Sequence, residues 1–146
     1  VRNDLSRVAK RGSVEVKELC EIYSFETVHQ MISKIQCEID TSTGIAEILR
    51  ATFPMGSMTG APKLAAMKHI DEVEEHGRGI YSGSIGYVCP NGDFDLNVII
   101  RSFFHNGRTR KLAASVGGAI TSLSNAEDEF VECKLKADAL QRAVSS

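Results

Sequence analysis

Three residues near the C-terminus have the types and spacing to do chemistry: Glu129, Glu132 and Lys136. Steps of three and four place them on neighbouring positions of one helical face. Two carboxylates one turn apart offer hard oxygen ligands suited to Mg²⁺. The same spacing also suits a plain Glu132–Lys136 surface ion pair, so residue type alone leaves both readings open. A second group is the stretch from Gly56 to Lys63, Gly-Ser-Met-Thr-Gly-Ala-Pro-Lys, with backbone N–H groups and the hydroxyls of Ser57 and Thr59 ahead of a helix. A helix N-terminus favours an anion, and it equally suits an ordinary helix entry capped by Thr59. The phosphate-loop pattern GxxxxGK[ST] has no match.

Single residues add to this set. Arg101 interrupts the apolar run from Leu96 to Phe104. Strand alternation predicts it on one face with Ile99 and Phe103, where a half-buried guanidinium needs an acidic partner or an anionic ligand. Gly117, Gly118 and Ala119 break a predicted strand, either as a bulge or as a place where backbone approaches a ligand. His29 lies in an apolar stretch, as a satisfied core histidine or as an acid, base or donor beside a substrate. His69, His76 and His105 read as surface residues.

The elements that must position these residues follow from periodicity. A short helix ends near Ala9, with Gly12 as its stop. Val14 and Val16 suggest a short strand, and residues Cys20 to Ile39 read as one long strand buried on both faces. Thr43 to Thr52 form a helix capped by Thr43. A second helix runs from Ala61 to Glu75, with Pro62 in its first turn and Gly77 and Gly79 beyond its end. Strands are predicted over Ile80–Cys89, Phe94–Phe104 and Lys111–Thr121, joined by turns at 90–93 and at Asn106-Gly107. A long helix covers Ala126 to Val144, its stripe carrying Phe130, Cys133, Ala137, Leu140 and Val144. The pattern predicts an α+β layered fold with a mainly antiparallel sheet flanked by helices.

Composition sets outer limits. The 146 residues amount to one domain's worth, long enough for a substantial core. Seventeen basic and nineteen acidic residues give a net charge of −2, which argues against a general nucleic-acid binder. No apolar run is long enough to span a membrane, and no signal peptide is visible. Cys20, Cys37, Cys89 and Cys133 form no CxxC pair, so buried free thiols in a reducing, cytoplasmic setting are expected. The chain opens on Val1 inside an amphipathic pattern and reads as a fragment of a longer protein.

Seven stretches, in order, are similar to the chorismate-binding enzymes. They are Arg2-Asn3-Asp4-Leu5 with Arg7-Val8; Val28-His29; Gly56 to Lys63; Tyr81-Ser82-Gly83-Ser84-Ile85-Gly86-Tyr87; Asn97 to Arg101; Gly117-Gly118-Ala119; and Glu129-x-x-Glu132-x-x-x-Lys136. The resemblance implies the C-terminal half of that family's α/β/β/α sandwich. It implies Mg²⁺ at Glu129 and Glu132, with Glu132 the direct ligand. Lys136, Arg101, Tyr81 and the backbone of Gly117, Gly118 and Ala119 would hold the carboxylates of chorismate. His29 would face the reacting side of the ring, and Ser57 would place a hydroxyl in the pocket. Where a third glycine is frequent, this chain has Ala119, which keeps the backbone N–H.

Thr59-Gly60-Ala61-Pro62-Lys63 resembles the aminating branches of the family, and Ser57 with Thr59 resembles its aminodeoxychorismate branch. That branch implies amination of chorismate to 4-amino-4-deoxychorismate, with ammonia from a glutamine amidotransferase subunit. Two alternatives stand beside it: the anthranilate branch, and a folded fragment that binds dicarboxylates without turnover. The family's other Mg²⁺ carboxylates, and the reactive lysine that separates the two aminating branches, precede the Arg2-Asn3-Asp4 segment. The isolated chain is therefore expected to be inactive.

Overall fold

A computed structural model describes residues 1–25 and 29–145. It is an α+β structure of antiparallel sheets and helices, divided into two compact units, Val1–Glu75 and His76–Ser146.

The first unit opens with a single helical turn, α1 (Arg2–Leu5), which packs on α2 (Ile45–Thr52). Gly12, at φ +79, turns the chain into β1 (Glu15–Ser24), which pairs antiparallel with β2 (His29–Gln36). The long strand predicted over Cys20–Ile39 is thus two strands folded on each other. Partners such as Ile22 and Met31 have opposite parity along the chain yet share a face of the hairpin, and alternation within each half does not show that the chain reverses between them; pairing satisfies backbone groups that a lone strand leaves open. Val28, in the Val28-His29 motif, lies outside the described residues. The register of β1 shifts on either side of Glu18, and Cys20 takes φ +55 within this irregular stretch. Lys34 ties the hairpin, donating at 2.7 Å to both Glu18 Oε1 and Tyr23 Oη.

Helix α2 starts one residue later than expected. Gly44 occupies the cap position in place of Thr43, and Glu47 folds back to accept its N–H at 3.0 Å. A 3₁₀ turn over Gly56–Met58 precedes α3 (Lys63–Val73), with Pro62 at the cap just outside it. Thr59 does not cap α3; its hydroxyl donates to Met55 O at 3.0 Å.

In the second unit, β3 (Ser84–Val88) pairs with β4 (Phe94–Val98), and β5 (Phe103–Asn106) with β6 (Lys111–Ala114). Helix α4 runs from Ala126 to Ser145. The turn at Asn91-Gly92 forms as predicted, with Gly92 at φ +92 and Asp93 N–H donating to Asn91 Oδ1. At the other turn Asn106 Oδ1 accepts from the N–H of Arg108 and of Thr109, and the left-handed residue is Arg110 instead of Gly107. The strand predicted over Phe94–Phe104 is two strands, and the one predicted over Lys111–Thr121 stops at Ala114.

The expected core is small. Among the described residues Ala51 is the one buried hydrophobic side chain, and Leu19, Ile22, Met31, Ile85 and Phe130 are mostly exposed. Two-stranded sheets have two faces and little to cover them. The four cysteines are free, as expected, but none is buried, and Cys20 is exposed. No helix among the described residues is long and apolar enough to cross a membrane.

Among the described residues of the first unit Asp4 is the buried charge, with its carboxylate 2.9 Å from Lys63 Nζ and 3.6 Å from the Val1 amine. Burial works to raise its pKa. The hydrogen bond and charge of Lys63, joined by the amine, outweigh that and hold the carboxyl below its usual value. A depressed carboxyl stabilises the fold above its unfolded pKa of about 3.9, and that contribution disappears as pH falls through the folded value. Urea midpoints of the chain are therefore expected to fall more steeply below about pH 4 than those of Asp4→Asn, and parallel curves would contradict this.

Candidate active site

Helix α4 begins with Asn125 Oδ1 accepting from the N–H groups of Glu127 and Asp128, which sets the helical phase of the acidic residues behind it. Glu129, one turn in, accepts a hydrogen bond from Ser124 Oγ on Oε1 at 2.6 Å. Its other oxygen, Oε2, is buried and has no partner among the described residues. A buried carboxylate oxygen left open is costly unless a cation or donor meets it. A Cβ placed on Gly118 would stand 3.1 Å from this oxygen, so the glycine lets backbone lie directly against it.

One turn further on, Glu132 Oε1 is 2.5 Å from Lys136 Nζ, and the lysine also donates to Gly117 O at 2.9 Å. The hydrogen bond from Lys136, then its charge, keep the Glu132 carboxyl below its usual pKa, so it is an anion at neutral pH. A Cβ on Gly117 would meet Tyr81 Oη at 2.8 Å, which brings the phenol to the same glycines. Among the described residues the N–H groups of Gly117, Gly118 and Ala119 donate no hydrogen bond. Consecutive open amides beside a lysine suit a carboxylate. Ala119 has no positive φ, so its departure from glycine costs nothing in backbone conformation.

The structure thus brings together Tyr81, Gly117, Gly118, Glu129, Glu132 and Lys136. Arg101 is placed differently from its prediction. It is exposed, lies between β4 and β5 at φ +51, and makes no ion pair among the described residues. It belongs to the same end of the β3–β4 ladder as Tyr81, because Ser82 N–H donates to Ile99 O and Ile99 N–H to Gly83 O. Buried Ser82, at φ +67, accepts from Arg78 Nη1 and shapes this end; no periodicity in the sequence marked it.

His29 and Ser57 belong to the first unit. His29 is exposed at the start of β2, with Nδ1 2.9 Å from Ser24 Oγ, and is not a core histidine. Ser57 is exposed on the 3₁₀ turn. Gly60, at φ +155, lies where a Cβ would stand 2.8 Å from Ala66 Cβ, so the loop enters α3 at a spacing only glycine permits.

No group of three or more metal-binding side chains occurs among the described residues. Glu129 and Glu132 nonetheless fit part of a Mg²⁺ site, since Mg²⁺ is commonly held by one or two carboxylates plus waters and substrate. The open Oε2 of Glu129 is the observation in favour of that fit.

Two carboxylates, a lysine and open backbone amides thus lie together on α4 and the loop before it. The sequence matches the family described as chorismate binding enzyme over residues 1–142, and the chain belongs to that family. It is 48% identical over 144 residues to a chloroplastic aminodeoxychorismate synthase of Arabidopsis thaliana, covering 99% of this chain and 16% of that protein. It is 38% identical over 143 residues to anthranilate synthase component 1 of Aquifex aeolicus, covering 98% of this chain and 28% of that protein. The crystal structure of anthranilate synthase component I from Streptococcus pneumoniae superposes with a TM-score of 0.79 at 33% identity, over 95% of this chain and 32% of that one. The chain therefore spans less than a third of the length of each of these relatives.

Proposed function

We propose that the protein containing this chain aminates chorismate to 4-amino-4-deoxychorismate, with ammonia supplied by a glutamine amidotransferase. The observation that carries the reading is the meeting of Lys136, the open amides of Gly117 to Ala119 and the unpartnered Glu129 carboxylate oxygen. Chorismate bears two carboxylates, so its pocket needs fixed donors and cations. Lys136 and the three amides supply them at one place, and Tyr81 Oη adds a neutral donor beside Gly117. Glu129 and Glu132 would hold Mg²⁺, whose chemistry is to withdraw electrons through the ring carboxylate and ease loss of the C4 hydroxyl. Ser57 would contribute a hydroxyl, and His29 would serve the reacting side of the ring.

The choice of product rests on the higher identity to the aminodeoxychorismate synthase and on the Ser57–Thr59 pair. Incubating the full-length protein with chorismate, Mg²⁺ and ammonium tests it. The expected product releases p-aminobenzoate only when a lyase is added. Anthranilate and pyruvate without a lyase would assign the second aminating reaction, to which the 33% identical anthranilate synthase structure is the pointer. Binding without turnover by the full-length protein would leave a dicarboxylate-binding module.

Arg101 supplies a separate check. With no ion pair of its own among the described residues, it is free to meet a substrate carboxylate. Arg101→Ala is expected to lower kcat/KM about 10- to 150-fold, the loss of a charge-assisted hydrogen bond of ~1.5–3 kcal/mol. Thermal stability should stay unchanged, because alanine tolerates φ +51 no better and no worse than arginine. Wild-type kinetics would return Arg101 to the surface.

A further inference from the structure

Two motifs of the first unit meet through side chains. Lys63 Nζ donates to Asp4 Oδ2 at 2.9 Å and to the Thr52 carbonyl at 3.2 Å. Thr52 is the last residue of α2 and Lys63 the first of α3, so one ammonium closes the base of the loop over 53–62. Asp4, fixed on α1, holds that ammonium in place; its side chain is 9% exposed and that of Lys63 17%. The carboxylate reaches the loop itself, since a Cβ on Gly56 would lie 3.9 Å from Asp4 Oδ2. Within the loop, Met58 N–H donates to Met55 O, Thr59 N–H to Gly56 O and Thr59 Oγ1 to Met55 O. These set the 3₁₀ turn that carries Ser57.

We infer that Asp4 and Lys63 are positioning residues, a largely shielded clamp that fixes the Ser57-bearing loop without touching substrate. This rests on the reading above in so far as Ser57 serves the reaction of chorismate. A buried ion pair is weak evidence for net stability, because desolvation offsets its attraction. It does impose a unique geometry, since Asp4 left alone is an unpaired buried charge.

The test uses the full-length protein with Asp4→Asn, Lys63→Met, Lys63→Arg and the double variant D4N/K63M. Amide hydrogen exchange at Met58 and Thr59, measured without substrate, is expected to quicken about tenfold or more in D4N and in K63M, as loss of a charge-assisted bond implies. KM for chorismate should rise about tenfold in both, with a smaller change in kcat. K63R should recover most of the loss, and the double variant should be no worse than the poorer single one. Unchanged loop exchange in both D4N and K63M would overturn the clamp. Faster exchange with unchanged KM would overturn the positioning role, as would additive losses in the double variant. If K63M fails to fold, D4N and K63R still decide the matter by the same measurements. If the parent protein does not use chorismate, the functional reading falls, while loop exchange still decides the clamp.

Discussion

Glu132→Ala in the full-length protein is expected to reduce chorismate turnover at least about a hundredfold while leaving the thermal midpoint nearly unchanged. The two halves of that expectation have different causes. Glu132 is half-exposed and paired with Lys136 one turn along α4, and such surface pairs contribute little to folding. Its carboxylate, kept ionised by Lys136, is proposed to ligate Mg²⁺ beside Glu129. Losing a ligand removes the cation's contribution from every turnover, which no neighbouring group replaces. Glu132→Gln should behave similarly, because the amide keeps the shape and loses the charge. Steady-state kinetics across a Mg²⁺ titration, paired with a thermal melt, reads both halves. Near-wild-type turnover would refute the ligand role and leave Glu132 as the helix-surface partner that its spacing equally allows.

The largest expected effect on stability belongs to Gly86→Ala. A Cβ on Gly86 would overlap the Asp95 carbonyl oxygen and stand 2.9 Å from Leu96 Cα. Both obstacles are backbone, so no rotamer change relieves them, and β3 and β4 must separate or slip. A loss of at least ~3 kcal/mol follows. Gly107→Ala is the control, because nothing lies within 4 Å of its Cβ position and its φ is ordinary. It should alter stability by less than about 0.5 kcal/mol. Denaturant unfolding of both variants makes the comparison. Equal midpoints would mean that β3 and β4 lie further apart in the folded protein.

Local patterns were legible. Glu129, Glu132 and Lys136 fall on one face because helical spacing is a property of a few consecutive residues, and α4 begins at the residue expected. The Asn91-Gly92 turn formed for the same reason. The readings that failed were those needing knowledge of a partner strand. Cys20–Ile39, read as one strand buried on both faces, is a hairpin with Ile22 and Met31 mostly exposed, and Phe94–Phe104 broke where Arg101 enters the left-handed region. Alternation records the face a side chain takes and carries no information about where the backbone stops finding a partner.

The sequence by itself determined the family through its ordered motifs, the antiparallel α+β class, and the charged face of α4. Tertiary structure decided which of those charges are already answered. Lys136 is shared between Glu132 and Gly117 O, Glu129 keeps one oxygen open, and Asp4 finds Lys63 across the whole span of the first unit. Whether an ionised group has a partner depends on distances of a few ångströms between residues remote in the chain, and residue type and spacing do not encode them.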